Sequence, residues 1–323
     1  MKIITRRTFL NKTAQIGFYS LFSSLLNFPN KAIAYGSKIN INVGYMSIID
    51  HLILPVSHAL YNSTYKNISI TPHLCRSWDE ILGKLDMGIL NAAFLLTPLA
   101  MKTFYFNNMK CILLGHRNGS VIASSPEIKS AEDLSKAVIG IPHSHSTHTI
   151  LLYKYFKDNG IDNLQDISLK KIPPLETVSQ LQDCKINAYS VAEPWGMLGV
   201  NKGVVHIIEH SKNIIPNHPC CILMIRERFL KQHKNSVKKW VASLQSAGEF
   251  IHKNYKKAAE LQKNYMYLNV GDVFNVLKKE HISYRNLGPN QLEFKKIFDL
   301  AFEAGLLQGQ FEMKSFVNTS FAG

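Results

Sequence analysis

One short segment occurs twice in the chain, and it constrains the fold more than any other feature. Residues 85–98 read LDMGILNAAFLLTP, and residues 181–194 read LQDCKINAYSVAEP. Both copies place a leucine, an Ile/Leu-Asn-Ala core, a short apolar run and a closing proline at the same spacing. Each copy is typical of a helix end followed by a buried strand that stops at a proline turn. The second copy has Cys184 where the first has the helix-ending Gly88, and it therefore lacks the usual glycine.

Two such units predict two similar α/β lobes with a cleft between them. In open α/β sheets, ligands bind beyond the carboxyl ends of the strands. We therefore expect two opposite walls of one binding site. Thr97 of the first copy lies on one wall, and Glu193 of the second copy lies on the other together with Trp195, which follows that copy. The alternative is a chance similarity, since helix–strand junctions look alike in many α/β proteins.

The first 34 residues have the features of a twin-arginine export signal. Arg6 and Arg7 precede an apolar stretch over 14–28, and Ala32-Ile33-Ala34 supplies a small-x-small cleavage site. Such a signal predicts export in the folded state and a periplasmic location. An uncleaved anchor is the alternative, although the stretch is short for a membrane span of about 20 residues.

Charge and composition bound the class of protein that remains. The signal holds five basic residues and no acid, so its removal lowers the formal net charge from +14 to +9. The remaining lysines are scattered without a recognition motif, which argues against nucleic acid as a partner. The length suits two lobes. Five cysteines are an odd number, so at least one thiol stays free or reacts elsewhere.

Alternation of strands and helices predicts parallel sheets. The predicted strands cover 39–46, 68–74, 91–96, 111–115, 137–141, 167–172, 187–192, 204–208 and 220–225. The predicted helices cover 51–61, 78–87, 99–105, 130–134, 147–159, 175–183, 270–279 and 291–304, with a mostly helical chain from 227 onward. We expect a first crossing between lobes at 119–125 and a return near 220. The domains are then 1–34 signal, 35–121 first lobe, 122–219 second lobe, and 220–323 first-lobe return with terminal helices.

Three motifs resemble a known family. They are the run 187–196 with its Val-Ala-Glu-Pro-Trp, the strand-to-helix turn at 140–148, and Asn217-His218-Pro219. Over about 39–307 the chain resembles the substrate-binding proteins of nitrate, bicarbonate and sulfonate ABC importers. The resemblance implies a type II periplasmic binding protein: two α/β lobes joined by a hinge of two crossing segments. It implies a monomer that closes on a small, anionic ligand without catalysis or cofactor and delivers it to an ABC permease and ATPase.

The resemblance also assigns sides of the pocket. It implies that Trp78 and residues 118–120 lie on the first-lobe side, that His148 and Glu193 lie on the second-lobe side, and that Cys220-Cys221 lies near the returning crossover. Nitrate-binding members carry a lysine where this chain has Cys221 and a glutamine at or beside Ser120. The departures remove a cation and a donor suited to a small oxyanion, which speaks against nitrate itself.

Three histidines occur within six residues at a predicted strand end and helix start. His143, His145 and His148 would lie where free backbone N–H groups and the helix dipole favour an anion. The alternative is that His143 and His145 are exposed turn residues and that one histidine packs locally.

The adjacent Cys220 and Cys221 are open to three interpretations. They can form a vicinal disulfide, bind a soft metal such as zinc or copper together with His218 and His148, or stay buried and inert. The rival functions are accordingly a metal- or pyrimidine-precursor-binding protein, or a ligand sensor of the same fold. No metal site is predicted, and the predicted ligand contacts are Trp78, Thr97, Ser120, His145, His148, Glu193, Trp195, Cys220 and Cys221.

Overall fold

The computed structural model describes residues 38–162 and 166–321, with the backbone alone at 105–107. The predicted export signal at 1–34 lies outside the described residues. No described helix is both long enough and apolar enough to cross a membrane.

Twelve strands in the described part of the chain form two five-stranded sheets and one two-stranded ribbon. In chain order they are β1 Ile39–Met46, β2 Ile68–Cys75, β3 Ala92–Leu96, β4 Met109–Leu114, β5 Arg117–Asn118, β6 Ser120–Ser124, β7 Val138–Ile141, β8 Ser168–Lys171, β9 Ala188–Ala192, β10 His206–His210, β11 Cys221–Arg226 and β12 Ile282–Ser283. The first sheet has the order β2-β1-β3-β11-β4, the second has the order β10-β6-β9-β7-β8, and β12 pairs with β5.

The two large sheets have the same topology. In the first, β2, β1 and β3 are parallel, and β11 runs antiparallel between β3 and β4. In the second, β8, β7 and β9 are parallel, and β6 runs antiparallel between β9 and β10. The two repeat strands, β3 and β9, both take the middle position of their sheet. The repeat therefore marks equivalent places in two α/β lobes, and each sheet has four parallel strands, as the alternation predicted, with one antiparallel strand inserted among them.

Helices cover the sheets and account for most of the chain after residue 227. The α-helices are Ile53–Tyr61, Trp78–Asp86, Thr97–Asn107, Ala131–Ser135, Thr147–Asp158, Thr177–Gln182, Trp195–Asn201, Ser211–Ile214, Glu227–Gln232, Lys234–Lys253, Tyr255–Leu261, Lys263–Met266, Val270–Lys278, Gln291–Glu303 and Met313–Phe316. Short 3-10 helices cover Ile49–His51, Asn62–Thr64, Pro174–Glu176 and Thr319–Phe321. The predicted strand at 204–208 lies two residues later, and the helix predicted from 51 begins at Ile53.

Local capping explains where several helices begin. Ser77 accepts from the Glu80 amide at 3.2 Å, and Ser146 accepts from the Thr149 amide at 3.1 Å. At the other end, Cys184 has a φ of 55° and its counterpart Gly88 a φ of 73°. Both copies of the repeat thus close their helix with a left-handed residue, which glycine adopts without strain and other residues adopt at some cost.

The first crossing between the sheets is shorter than predicted. Most of the segment predicted to cross, 119–125, is the strand β6, and the connection is limited to 115–119. Asn118 and Gly119 both have left-handed backbones, with φ of 60° and 91°. A Cβ on Gly119 would lie 2.7 Å from the Ile282 side chain, so glycine lets β12 pack against the crossing. The chain returns from the second sheet to the first between β10 and β11, over residues 210–221. The predicted domain boundaries stay a prediction.

Apolar side chains of the two lobes pack against each other. A large buried cluster covers both faces of the first sheet, and two smaller ones cover the faces of the second. Ile150, Ala192 and Met197 belong to elements of the second lobe, yet they pack in the cluster of the first. The described arrangement is therefore one in which the lobes touch.

Gly248 lies where the helix Lys234–Lys253 meets the segment after β12. A Cβ at this position would lie 2.4 Å from the Tyr284 carbonyl oxygen, whereas nothing lies within 4 Å of one at Gly83. We expect Gly248→Ala to lower the free energy of unfolding by about 1–3 kcal/mol because backbone must move. Gly83→Ala, the helical control, should raise it by about 0.5–1 kcal/mol. Urea denaturation compares the two variants, and equal effects would contradict the packing described.

Candidate functional site

Polar residues of the first lobe gather at one edge of its sheet. Asp50 and His51 follow β1, and His116 follows β4. Because β11 is antiparallel, its first residue, Cys221, pairs with Leu96, the last residue of β3. The carboxyl ends of parallel strands and the start of β11 therefore meet at the edge where ligands bind in α/β sheets.

The second lobe brings polar residues to the equivalent edge of its own sheet. Ser120, the first residue of β6, pairs with Ala192, the last residue of β9. Glu193 follows Ala192 directly, and the peptide bond between Glu193 and Pro194 is cis. His148 lies in the first turn of the helix Thr147–Asp158. Ser120 thus belongs to the second lobe, and the expectation that placed it on the first-lobe side is wrong.

Four fully buried side chains form the centre of the site. Asp50 Oδ2 lies 3.1 Å from His116 Nε2 and 3.8 Å from the Sγ atoms of both Cys220 and Cys221. Adjacent residues of a strand point to opposite faces. Cys220 immediately precedes β11 rather than lying in it, and both thiols approach the same carboxylate oxygen. Both are free thiols in the structure.

Contacts across the site join the two lobes. Ser120 Oγ lies 3.2 Å from His148 Nε2 and 3.9 Å from Cys220 Sγ. The Cys220 carbonyl accepts from the Thr97 hydroxyl at 3.0 Å and from the Thr147 hydroxyl at 3.2 Å. Thr97 starts a helix of the first lobe and Thr147 starts one of the second, so this carbonyl is bound from both sides.

Burial and pairing set the charges of Asp50 and His116. Burial raises the pKa of Asp50 to about 6, despite the opposing effect of His116. Burial alone would lower the pKa of His116, but the Asp50 carboxylate outweighs it and raises that pKa to about 10. The two form a buried ion pair at neutral pH. The Cys221 amide lies 3.2 Å from the same His116 Nε2, which can serve only one of these partners at a time.

The two thiols differ in acidity. A hydrogen bond from Cys221, followed by contacts with His116 and His218, lowers the pKa of Cys220 below its ordinary value despite burial. Burial raises the pKa of Cys221. Cys220 is therefore the better nucleophile and metal ligand of the pair, since the thiolate is the reactive form.

Glu193 is buried and bound to the backbone. Its Oε2 accepts from the Met197 amide at 2.9 Å, at the start of the helix Trp195–Asn201. Its own amide donates to the Gly119 carbonyl at 3.0 Å, and its carbonyl accepts from the Ile49 amide at 2.9 Å. Burial raises the pKa of Glu193 to about 7. It links the second-lobe strand end to the crossing and to the segment that carries Asp50.

Two tryptophans and two histidines are also among the predicted ligand contacts. Trp78 is buried and meets the His51 ring edge-on at 5.7 Å between centroids, while Trp195 is partly buried. Burial lowers the pKa of His148 to about 4, so its imidazole is neutral at neutral pH. His145 is half-buried and lies near Lys102. No described contact joins it to the central residues.

Sequence reasoning missed Asp50, His51 and His116. None belongs to a spaced motif: Asp50 and His51 end a short 3-10 helix after β1, and His116 lies two residues after β4. Their position relative to the strand ends was the available signal. Several buried polar atoms around the centre have no partner among the described residues: Asp50 Oδ1, His51 Nε2, Trp78 Nε1 and His148 Nδ1.

Comparison with solved structures defines the class of protein. The ligand-binding component of an ABC-type import system from Staphylococcus aureus with zinc bound matches with a TM-score of 0.80 at 26% identity, covering 88% of this chain and 98% of that one. The periplasmic nitrate-binding protein NrtA from Synechocystis PCC 6803 matches with a TM-score of 0.78 at 15% identity, covering 86% and 84%. The fold is that of the periplasmic binding proteins, as expected from the sequence.

Sequence comparison then gives the family. The model of the NMT1-like family matches residues 36–263, and the chain belongs to this family. The bicarbonate transport ATP-binding protein CmpC of Synechococcus elongatus is 31% identical over 134 residues, which are 41% of this chain. The chain spans only 20% of the length of that relative.

Proposed function

We propose that this protein is the substrate-binding component of an ABC importer. It binds a small ligand between its two lobes and carries out no catalysis. The observation that supports this best is the contact of Ser120 with both His148 and Cys220, at 3.2 and 3.9 Å. It joins the ligand-binding edges of two sheets in a buried polar cluster, the arrangement expected where two lobes close on a ligand.

The proposed cycle is one of population shift. A ligand with groups for both lobes binds the closed form more tightly than the open form and therefore favours closure. The closed form then docks on a permease driven by an ATPase. The twin-arginine signal, a periplasmic location and a monomeric state belong to this proposal, and the periplasmic nitrate-binding protein among the structural matches supports the location. A sensor of the same fold would share the binding step and differ in its membrane partner.

The charges of the site bear on the ligand. Arg117 is the one lysine or arginine among the buried described residues. Its guanidinium donates to the carbonyls of Asn217 and Asn286 and to Glu293. The centre holds the carboxyl of Asp50, and the buried carboxyl of Glu193 lies at the strand end of the second lobe. This composition suits a cation or a neutral polar ligand better than the anion expected from the family resemblance.

Thermal unfolding in the presence of candidate ligands tests the proposal. We expect at least one of nitrate, bicarbonate, taurine, alkanesulfonates, pyrimidine precursors and Zn²⁺ to raise the Tm, because a ligand that binds only the folded state stabilises it. Ser120→Ala should reduce the shift. Ser124→Ala, a buried serine at the other end of β6, is the matched control and should keep it. An unchanged Tm with every compound, or equal shifts in both variants, would count against the site.

A further inference from the structure

The structure places four metal-ligating side chains around one point in the first lobe. They are Asp50, His116, Cys220 and Cys221, and each offers a ligand atom within 4.8 Å of the others. All four residues are fully buried. A buried group of one carboxylate, one imidazole and two thiols is costly unless its members are paired with each other or with a cation.

We propose that these four residues bind a thiophilic metal ion, with Zn²⁺ as the best match. Zn²⁺ takes four S, N and O ligands in a tetrahedron at about 2.0–2.3 Å, which separates neighbouring ligand atoms by roughly 3.3–3.8 Å. The distances from Asp50 Oδ2 are 3.1 Å to His116 Nε2 and 3.8 Å to each sulfur. The cluster thus has the size and the chemistry of a zinc site with only small movements.

The ligand set discriminates between metals. Two cysteines favour Zn²⁺ and other thiophilic ions over Mg²⁺ and Ca²⁺, which prefer oxygen ligands throughout. Ion binding would also change the partners of these side chains. His116 Nε2 is shared between Asp50 and the Cys221 amide, and Asp50 Oδ1 has no partner among the described residues. An ion between the side chains takes over the role of their mutual contacts.

Surrounding residues fit a support role for such a site. The Cys220 carbonyl is fixed by the Thr97 and Thr147 hydroxyls, one from each lobe. On the side of the second lobe, Ser120 contacts both Cys220 and His148. Closure of that lobe would therefore shield the ion from water. The inference rests on the proposed function in one respect: the ion is taken to be the ligand that is enclosed when the two lobes close.

Metal binding to the purified protein tests the inference. The chain from Tyr35 onward, purified with reductant and freed of metal, is titrated with Zn²⁺ against a chromophoric chelator. We expect about one equivalent to bind, with release of protons from the thiols and from the His116 imidazolium. Cys220→Ser and the isosteric Asp50→Asn should each weaken binding by at least roughly 100-fold, because each removes a group that binds the ion directly and such a loss costs more than the loss of a supporting residue. Cys184→Ser removes an exposed thiol outside the cluster and should bind as the parent does.

Cobalt gives an independent readout of the ligands. Co²⁺ in the same protein should show the intense visible bands of a tetrahedral site and a thiolate-to-metal band that disappears in Cys220→Ser. Circular dichroism on each variant confirms folding. Equal Zn²⁺ affinity in the parent, Cys220→Ser and Asp50→Asn would overturn the site. A second contradicting result would be a purified protein with a Cys220–Cys221 disulfide that still takes up no Zn²⁺ after the disulfide has been reduced.

The two proposals fail in different ways. A protein that takes up no Zn²⁺ but responds to an organic compound or an oxyanion of the thermal panel keeps the importer function and loses the metal site. A protein that binds Zn²⁺ at the cluster while cells lacking it accumulate zinc normally keeps the metal site and loses zinc as the imported ligand.

Discussion

Replacing His116 with alanine is expected to lower the free energy of unfolding by about 3–5 kcal/mol at neutral pH, because it leaves the Asp50 carboxylate buried without its partner. Both side chains are fully buried and their charged atoms lie 3.1 Å apart. Neighbouring thiols are poor substitutes for the lost imidazolium. The remaining charge, rather than the cavity alone, is the main source of the loss.

The pH dependence separates charge from cavity. Asp50 of the parent has a folded-state pKa of about 6, so below that pH the carboxyl is protonated in both proteins, and the cost of leaving it charged and unpaired in His116→Ala arises only as pH rises above about 6. Urea denaturation of the metal-free protein should therefore show a smaller loss at pH about 5 than at pH about 7.5. Adding Asp50→Asn to His116→Ala should restore part of the stability at neutral pH. An equal loss at both pH values would mean that only packing was removed.

As pH rises from about 4.5 to about 7, the free energy of unfolding of Glu193→Gln is expected to increase by about 3 kcal/mol relative to that of the parent. Burial raises the folded-state pKa of Glu193 from 4.5 to about 7. The folded state therefore binds this proton more tightly than the unfolded state does. The stability that the protonated group contributes is complete below pH 4.5 and is lost as pH rises through about 7. Glutamine mimics the protonated acid, and its amide oxygen can still accept from Met197.

Denaturation of both proteins across this pH range measures the difference directly. The buried histidines, such as His51 and His148, impose the opposite slope, since their lowered pKa values favour the folded state as pH rises. They contribute equally to both proteins and cancel in the comparison. Glu176→Gln alters an exposed glutamate and is the control. Parallel curves for the parent and Glu193→Gln would contradict the assignment of a protonated, buried Glu193.

The sequence was most informative where local pattern and fold coincide. The repeated segment predicted two similar lobes because β3 and β9 occupy equivalent middle positions, and apolar strands in those positions need similar residues. Most helix bounds followed from capping serines and apolar spacing. The antiparallel β6 and β11 were not predicted as such, because the direction of a strand depends on the path of the chain between lobes and leaves no mark in its residues. An apolar run such as Ser120–Ser124 serves either direction.

The site was predicted only in part for a similar reason. Ser120 lies within contact distance of His148 and of Cys220, which precedes Cys221, and the role of these residues in ligand binding stays a prediction. Asp50 and His116 are far apart in sequence and only the first sheet brings them within 3.1 Å. His145 shares a short segment with His148, but the chain enters the helix between them and directs His145 toward Lys102 instead.

Small-angle X-ray scattering of the chain from Tyr35 onward tests the central claim, closure of two lobes on a ligand, most directly. The radius of gyration is measured alone and with each compound of the thermal panel, Zn²⁺ included. We expect a compound that raises the Tm also to lower the radius of gyration, and we expect Ser120→Ala to weaken both effects while Ser124→Ala preserves them. A compound that raises the Tm and leaves the radius of gyration unchanged would contradict binding by closure.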